Sequence, residues 1–144
     1  MTPVIRSATP ADGPALVEIE EQSFADPSWD LPSFFNYTCF VAEVDGTVAA
    51  FLVSREVSPG ADGAAPEREI LNLAVAPKYR GMGLATALLK QELSLEGTHF
   101  LEVRESNLAA QALYRKCGFA VTGRRSSYYE YPREAAIVMS VKKC

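Results

Sequence analysis

The sequence has few of the residues on which disulfide and metal chemistry depend. Its 144 residues include three cysteines, Cys39, Cys117 and Cys144, and one histidine, His99. Three cysteines cannot all pair within the chain and none lies in a Cys-x-x-Cys motif, so neither a disulfide framework nor a zinc cluster is expected. A single histidine excludes multi-histidine metal sites and restricts Ser-His-Asp or Cys-His chemistry to that residue. We predict no metal site, and we expect His99 in a loop or at a strand edge.

Long hydrophobic runs are also missing. The longest, residues 48–53, has six residues, whereas a membrane-spanning helix needs about 20. Residues 1–10 contain no apolar stretch of the signal-peptide type. Together with the low cysteine content, these features predict a soluble, non-exported protein of the cytoplasm. The length, the apolar fraction of 48% and the charged fraction of 22% favour one globular domain over residues 1–144.

The charge is unevenly distributed around a net value of −4. Residues 1–66 contain two basic and ten acidic side chains, and residues 67–144 contain twelve basic and eight acidic ones. A negative net charge argues against non-specific nucleic-acid binding. The asymmetry is compatible with two solvated surfaces, or with an anionic ligand on the C-terminal half and a cationic partner near the N-terminal half.

Turn and capping signals predict a mixed α/β sheet. Thr9 and Pro10 are typical of a helix start after a strand at 2–7. Asp45-Gly46 predicts a tight hairpin between strands at 40–44 and 47–54. Residues 58–66 read as an exposed loop, and residues 24–37 as a loop or a short helix. Beyond them, strands at 69–75, 100–104, 119–123 and 135–141 are interspersed with helices at 82–92 and 107–117, the second ended by Gly118.

The most informative segment passes from the strand at 69–75 through a glycine-containing loop into the helix at 82–92. Gly81 and Gly83 lack a Cβ, so a ligand can approach their backbone closely. The first N–H groups of a helix have no intrahelical acceptor, and with the helix dipole they favour phosphate. Arg80 and Lys78 add positive charge. A Gly-x-Gly alone is equally typical of a loop that leads into a core helix.

Three phosphate-binding patterns compete for this loop. The P-loop sequence is absent, and Thr86 occupies the third glycine position of the dinucleotide fingerprint, although Glu102 lies at a suitable distance after it. The third pattern is Gln/Arg-x-x-Gly-x-Gly/Ala after a strand ending in Ala-Val-x-Pro. The chain matches it at every fixed position with Leu73-Ala74-Val75-Ala76-Pro77 and Arg80-Gly81-Met82-Gly83-Leu84-Ala85.

A second motif supports that third pattern. Asn107 is followed by Ala112-Leu113-Tyr114-Arg115-Lys116-Cys117-Gly118-Phe119, where the pattern requires Asn and then Ala-Leu-Tyr-x-x-x-Gly-Phe. The chain thus resembles the GNAT superfamily of acetyl-CoA-dependent N-acetyltransferases, an α/β fold with a mixed central sheet flanked by helices. Within it, the chain is most similar to bacterial ribosomal-protein-alanine N-acetyltransferases. The similarity includes residues 101–107, Arg124-Arg125 with Tyr128-Tyr129, residues 134–139 and the segment 24–29, and it is weak over 54–68.

The resemblance implies a binding site for acetyl-CoA. Backbone groups at the helix start would hold its pyrophosphate, the preceding strand would pair with the pantetheine arm, and a free backbone N–H there would polarise the thioester carbonyl. Asn107 would bind the cofactor arm, cap the helix, or do both. The implied cofactor-binding residues are Leu73, Ala74, Val75, Arg80, Gly81, Met82, Gly83, Leu84, Ala85 and Asn107.

The resemblance also assigns the catalytic residues. Glu102 would be the general base that takes a proton from the amine, directly or through water, and Tyr114 the general acid that protonates the departing thiolate. Glu69 on the preceding strand is an alternative base. An acetyl-cysteine at Cys117 is disfavoured because no base is apparent and a buried helix cysteine is the commoner case.

The acceptor that the resemblance implies is a protein N-terminal α-amine, specifically the N-terminal alanine of a ribosomal protein. Trp29, Tyr128 and Tyr129 either shape a peptide slot or pack in the core. One alternative is acetylation of a small amine such as a polyamine or aminoglycoside. Another is a non-catalytic acyl-CoA-binding module, against which Glu102 and Tyr114 argue.

Overall fold

The chain contains a mixed seven-stranded sheet flanked by helices, which confirms the predicted fold class. A computed structural model describes residues 2–24, 34–60, 63–130 and 133–143. In these ranges the strands run in the order β1-β2-β3-β4-β5-β7-β6. The strands are β1 (Val4–Ser7), β2 (Thr38–Val44), β3 (Thr47–Ser58), β4 (Glu67–Val75), β5 (Gly97–Arg104), β6 (Ala120–Glu130) and β7 (Arg133–Lys143), and the helices are α1 (Gly13–Ser23), α2 (Leu84–Leu93) and α3 (Leu108–Lys116).

The predicted hairpin joins β2 to β3. Its turn residues Asp45 and Gly46 have φ values of 50° and 80°, the left-handed conformation that a two-residue hairpin turn requires. β3 continues to Ser58, beyond the predicted end at residue 54, and β4 begins at Glu67. The intervening segment, 59–66, forms no helix or strand over the residues described there, as expected of a loop.

The first of two compact units comprises residues 1–55 and 70–94. Its apolar core includes Leu16 and Ile19 of α1 and Phe51 of β3. The rings of Phe34 and Phe51 meet edge to face, with centroids 5.1 Å apart. Phe34 and Phe35 are helical, while residues 25–33 of the segment predicted as loop or short helix lie outside the described ranges. The buried face of α2 is formed by Leu84, Leu88 and Leu89.

A charged cluster fixes the entry into α1. A 3-10 turn at Pro10–Asp12 precedes the helix, and the Asp12 carboxylate accepts from the Thr9 backbone N–H at 2.7 Å. The Arg6 guanidinium donates to both Asp12 oxygens, at 2.8 and 2.9 Å, and to Glu43 at 2.8 Å. The hydrogen bond from Arg6 lowers the pKa of Asp12 to about 2. β1, the helix start and β2 are therefore held by two ion pairs that share Arg6.

The second compact unit comprises residues 56–69 and 95–144. β5 pairs antiparallel with β7, and β7 pairs antiparallel with β6, so β7 lies between two strands that precede it in the chain. Burial alternates along β5, with Gly97, His99, Leu101 and Val103 buried and the residues between them partly exposed. His99 is fully buried. The expectation of a loop or strand-edge histidine is wrong, because the alternation places His99 on the buried face with Leu101 and Val103.

Helix α3 has the predicted ends. Asn107 Oδ1 accepts the Ala110 N–H at 3.1 Å, and Gly118 follows the helix with φ of 100°. Cys117 is the C-cap and is only partly buried, so the expectation of a buried helix cysteine is wrong. Neither Cys39 nor Cys117 forms a disulfide. Burial raises the pKa of the Cys39 thiol to about 12.

Candidate active site

The glycine loop, residues 80–85, leads from β4 into α2 in the first unit. Gly83 is the N-cap of α2, with φ of 80°, and Gly81 has φ of 79°. A glycine N-cap has no side chain to cover the first N–H groups of the helix, which have no intrahelical acceptor. Gly81, Met82 and Gly83 are exposed. The predicted loop therefore presents accessible backbone at a helix N-terminus, an arrangement suited to an anion.

The two basic side chains near the loop are arranged differently from each other. Arg80 Nε donates to the Val75 carbonyl at 3.1 Å, which links the loop to the end of β4. Lys78 Nζ lies 5.6 Å from the centre of the Tyr79 ring. Arg80 thus contributes charge and also links the glycine loop to the end of β4. These two segments contain all the predicted cofactor-binding residues except Asn107.

The pairing of β4 changes along its length. Its parallel ladder with β5 runs from Glu67 opposite Thr98 to Glu69 opposite Phe100 and, in the described part of the chain, ends there. β4 itself continues to Val75. Leu73, Ala74 and Val75, the residues predicted to pair with the pantetheine arm, lie beyond the ladder.

Glu102 lies on β5 in the second unit and is not a surface glutamate. Its side chain is only 14% exposed, and Oε1 accepts from Arg125 Nη1 at 2.8 Å. The guanidinium carbon of Arg125 lies 4.6 Å from the centre of the Tyr128 ring. Burial, followed by the charge of Glu102, raises the pKa of Tyr128, and a smaller contribution comes from Glu69. Glu69, the alternative base, therefore acts on the same tyrosine as Glu102.

Tyr129 interacts electrostatically with both Glu102 and Tyr114. Burial and the charge of Glu102 raise the pKa of Tyr129 to about 12, and the Arg104 guanidinium lies 4.3 Å from its ring centre. Tyr114, on α3, interacts electrostatically with Tyr129, and burial is the main cause that raises the pKa of Tyr114 to about 12. Glu102, Tyr129 and Tyr114 therefore belong to one cluster of titratable groups, in which both phenols stay protonated at neutral pH.

The turn before α3 is held by Glu134 of β7. Its carboxylate accepts the Ser106 N–H and hydroxyl, each at 3.0 Å, and pairs with Arg104 at 3.0 Å. The Arg104 hydrogen bond, supported by those from Ser106, lowers the pKa of Glu134. Next to this turn, Arg124 donates to both oxygens of Glu105, at 2.6 and 3.1 Å. The position of Asn107 is therefore fixed from β7 as well as by its own cap.

The predicted site residues fall into two groups. Residues 73–75 and 80–85 belong to the first unit, whereas Glu102, Asn107 and Tyr114 belong to the second. Within the second unit, Tyr128 and Tyr129 contact arginines beside Glu102, while Trp29 lies outside the described ranges. Sequence reasoning gave no role to Arg125 or Arg104, although the Arg124-Arg125 pair near Tyr128-Tyr129 marked the segment.

Among the described residues, no group of three or more His, Cys, Asp and Glu side chains is arranged to hold a metal ion. Within the same ranges, no helix is long and apolar enough to cross a membrane.

Comparison with known proteins decides the family. Residues 12–119 match the acetyltransferase (GNAT) family. The chain belongs to this family. It is 36% identical to the ribosomal protein bS18-alanine N-acetyltransferase of Escherichia coli K12 over 95% of each chain. It is 35% identical to the putative ribosomal protein bS18-alanine N-acetyltransferase of Bacillus subtilis 168, over 86% of this chain and 85% of that one.

Solved structures agree with the sequence comparison. The crystal structure of the E. coli ribosomal-protein-S18-alanine N-acetyltransferase superposes with a TM-score of 0.84 at 34% identity, covering 99% of this chain and 96% of that one. Ard1 from Thermoplasma volcanium gives a TM-score of 0.85 at 27% identity, covering 98% and 97%. The predicted family resemblance is confirmed. As a member of the GNAT family, this chain is an acetyl-CoA-dependent N-acetyltransferase.

Proposed function

We propose that residues 1–144 act as a single cytoplasmic N-acetyltransferase domain that transfers the acetyl group of acetyl-CoA to a protein N-terminal α-amine. The preferred acceptor is the N-terminal alanine of a ribosomal protein. The 36% identity, over 95% of both chains, to an enzyme named for that alanine supports this acceptor. The feature of this chain that carries the proposal is the cluster of Glu102, Tyr129 and Tyr114 in the second unit.

The glycine loop supplies the donor side of the proposal. Backbone N–H groups at the start of α2 hold the pyrophosphate of acetyl-CoA, and Gly81 and Gly83, whose positive φ favours glycine, place no side chain on that surface. Residues 73–75 offer backbone groups to the pantetheine arm, and Asn107, the N-cap of α3, is a further proposed cofactor-binding residue. Arg80 adds positive charge while holding the loop to Val75.

Glu102 supplies the base. A free α-amino group titrates near 7.7–8.0, so a carboxylate has to remove only a proton that is already labile. Glu102 takes the ammonium proton, directly or through water, and the neutral amine then forms its bond to the acetyl carbon. The second proton that the nitrogen loses as the amide forms passes to the departing sulfur or to water.

Tyr114 supplies the donor for the leaving group. As the carbon–sulfur bond breaks, the electron pair stays on sulfur and the Tyr114 hydroxyl donates to it. A pKa of about 12 keeps Tyr114 protonated beforehand, yet lies well above the value of about 8.5 for a cysteine-like thiol. Tyr114 therefore stabilises the thiolate mainly through a hydrogen bond, and the sulfur need not take the proton completely.

A thiol-release assay with acetyl-CoA tests the proposal. The acceptor panel consists of peptides that differ only in their first residue, together with a polyamine and an aminoglycoside, and each is run against Glu102→Gln as the matched inactive control. We expect the highest kcat/KM for the peptide that begins with alanine. A preference for the polyamine or the aminoglycoside would replace the peptide assignment, and binding of acetyl-CoA without release for any acceptor would indicate a non-catalytic module.

A further inference from the structure

A cation already occupies the carboxylate to which the base role is assigned. Arg125 Nη1 lies 2.8 Å from Glu102 Oε1, and the second oxygen, Oε2, is shielded from solvent. The two ends of this ion pair differ in exposure: the Glu102 side chain is 14% exposed and the Arg125 side chain 56%. A mostly buried carboxylate is costly without a counter-charge, so Arg125 stabilises Glu102 while no acceptor is bound.

The pairing of β6 with β7 becomes irregular just after Arg125. Arg125 pairs with Ala136 of β7, but the register slips between Arg125 and Tyr129. Within this slip Ser127 has φ of 53°, and Tyr128, whose ring lies against the guanidinium, is 47% exposed. Arg125 is the exposed partner of the pair, so solvent and a second cation can reach its guanidinium. The Arg125 head group can therefore leave Glu102 when another cation takes its place at the carboxylate.

We propose that Arg125 is a displaceable counter-ion that stands where the acceptor's ammonium group binds on Glu102, so that each acceptor must replace it to react. This inference rests on the proposed function, because it assigns Glu102 to the acceptor amine. An α-amine carries a positive charge over much of its population at neutral pH. An ammonium compensates the Glu102 carboxylate as Arg125 does, whereas a neutral hydroxyl does not, so Arg125 selects amines over alcohols.

Kinetics of Arg125→Met test the inference, because methionine keeps an apolar contact for Tyr128 and removes every donor. We expect KM for the acceptor to fall about two- to fivefold, the factor that corresponds to an ion pair with one exposed partner. We expect kcat and KM for acetyl-CoA to stay within about twofold. Arg125→Lys should keep the wild-type KM, because its ammonium competes in the same way.

Arg124→Gln is the matched control. Arg124 is the neighbouring arginine of β6, its side chain is 52% exposed, and it pairs with Glu105 instead of Glu102. We expect this variant to leave KM for the acceptor unchanged. An equal fall in Arg124→Gln would show a general effect of positive charge and would overturn the inference.

Guanidinium at millimolar concentration adds a local test. It should inhibit Arg125→Met competitively against the acceptor, and inhibit the wild type less, while sodium chloride at the same ionic strength should not separate the two proteins.

An unchanged or raised KM in Arg125→Met overturns the inference, and Arg125→Gln gives the same comparison if Arg125→Met does not fold. The acceptor used is the one that the panel identifies. If the wild type turns over none, the proposed function fails and the inference with it. If the wild type is active and KM does not fall, only the inference fails.

Discussion

Gly46 and Gly83 have the same backbone conformation in two different turns of the first unit. φ is 80° at both, and a Cβ added at either would meet no heavy atom within 4 Å. A branched residue at either position therefore carries the same left-handed backbone penalty, roughly 1–2 kcal/mol, without a clash inside the protein. Gly46 lies in the hairpin turn between β2 and β3, whereas Gly83 is the N-cap of α2 and belongs to the proposed pyrophosphate loop.

We predict that Gly83→Val weakens acetyl-CoA binding about tenfold or more, the loss of charge-assisted hydrogen bonds to backbone N–H groups. Gly46→Val should lower stability to a similar extent and leave the affinity unchanged. Calorimetric titration of the two folded variants with acetyl-CoA makes the comparison. Wild-type affinity in Gly83→Val would remove the phosphate role from the loop.

Glu102→Gln is predicted to lower kcat about 10²–10⁴-fold, the usual contribution of a general base, and to change KM for the amine much less. The amide keeps the shape of the side chain but cannot take the proton. Glu69→Gln is the comparison, because Glu69 acts on the same Tyr128. Steady-state rates from mildly acidic to mildly alkaline pH decide between them: wild-type turnover in Glu102→Gln would move the base to Glu69 or to solvent.

Tyr114→Phe is predicted to slow acetyl transfer partially and to leave the affinity for acetyl-CoA nearly unchanged. The ring remains and keeps its edge-to-face contact with Phe119, at a centroid distance of 5.8 Å. On the proposed role of Tyr114 as a donor to the thiolate, thioesters with more acidic leaving thiols should lose less rate. A different result would assign Tyr114 to positioning of the cofactor. In that result the chemical step is shown to be rate-limiting, and the rate of acetyl transfer falls equally for thioesters with good and with poor leaving thiols.

Asp12→Asn is predicted to lower the free energy of unfolding by about 2 kcal/mol at pH 7, because a tenfold change in proton affinity on folding corresponds to about 1.4 kcal/mol. The folded pKa of about 2 lies below the ordinary value of 3.8. A lowered folded pKa gives stability that is present above pH 3.8 and lost as the pH falls through about 2. Urea unfolding of wild type and variant should therefore converge between those values.

Glu21→Gln, which changes an exposed carboxylate on the same helix, is the control for that measurement. It should alter the unfolding free energy by less than about 0.5 kcal/mol, both at pH 7 and at the acidic pH where wild type and Asp12→Asn converge. A pH-independent gap between wild type and Asp12→Asn would show that the Arg6 contact is not the source of the stability.

Local signals predicted the elements whose causes are local. Asp45-Gly46 demands a left-handed turn, Asn107 offers a cap oxygen to the N–H of Ala110, and Gly118 ends α3 in a left-handed conformation. Burial of His99 also has a sequence signal, the alternation of His99 with Leu101 and Val103. The general preference of a lone histidine for exposed positions outweighed that signal.

The surroundings of Glu102 are not encoded in any local pattern. Arg125 lies 23 positions later, and β7, which follows β6 in the chain, is inserted between β5 and β6. Glu102 is paired with Val138 along one edge of β7, and Arg125 is paired with Ala136 along its other edge. The ion pair thus depends on the strand order and on the register shift between Val121 and Gly123, neither of which any spacing in the sequence reveals.

The most direct test of the central claim is to locate the acetyl group on a peptide that begins with alanine and contains an internal lysine. After reaction with acetyl-CoA, fragmentation mass spectrometry distinguishes the α-amine from the lysine side chain. We predict a single acetyl group on the alanine nitrogen and no product from the same peptide with a blocked N-terminus. Acetylation of the lysine would contradict the assignment of this chain as an N-terminal α-amine acetyltransferase. Acetylation of the blocked peptide at the rate of the unblocked peptide would contradict it as well.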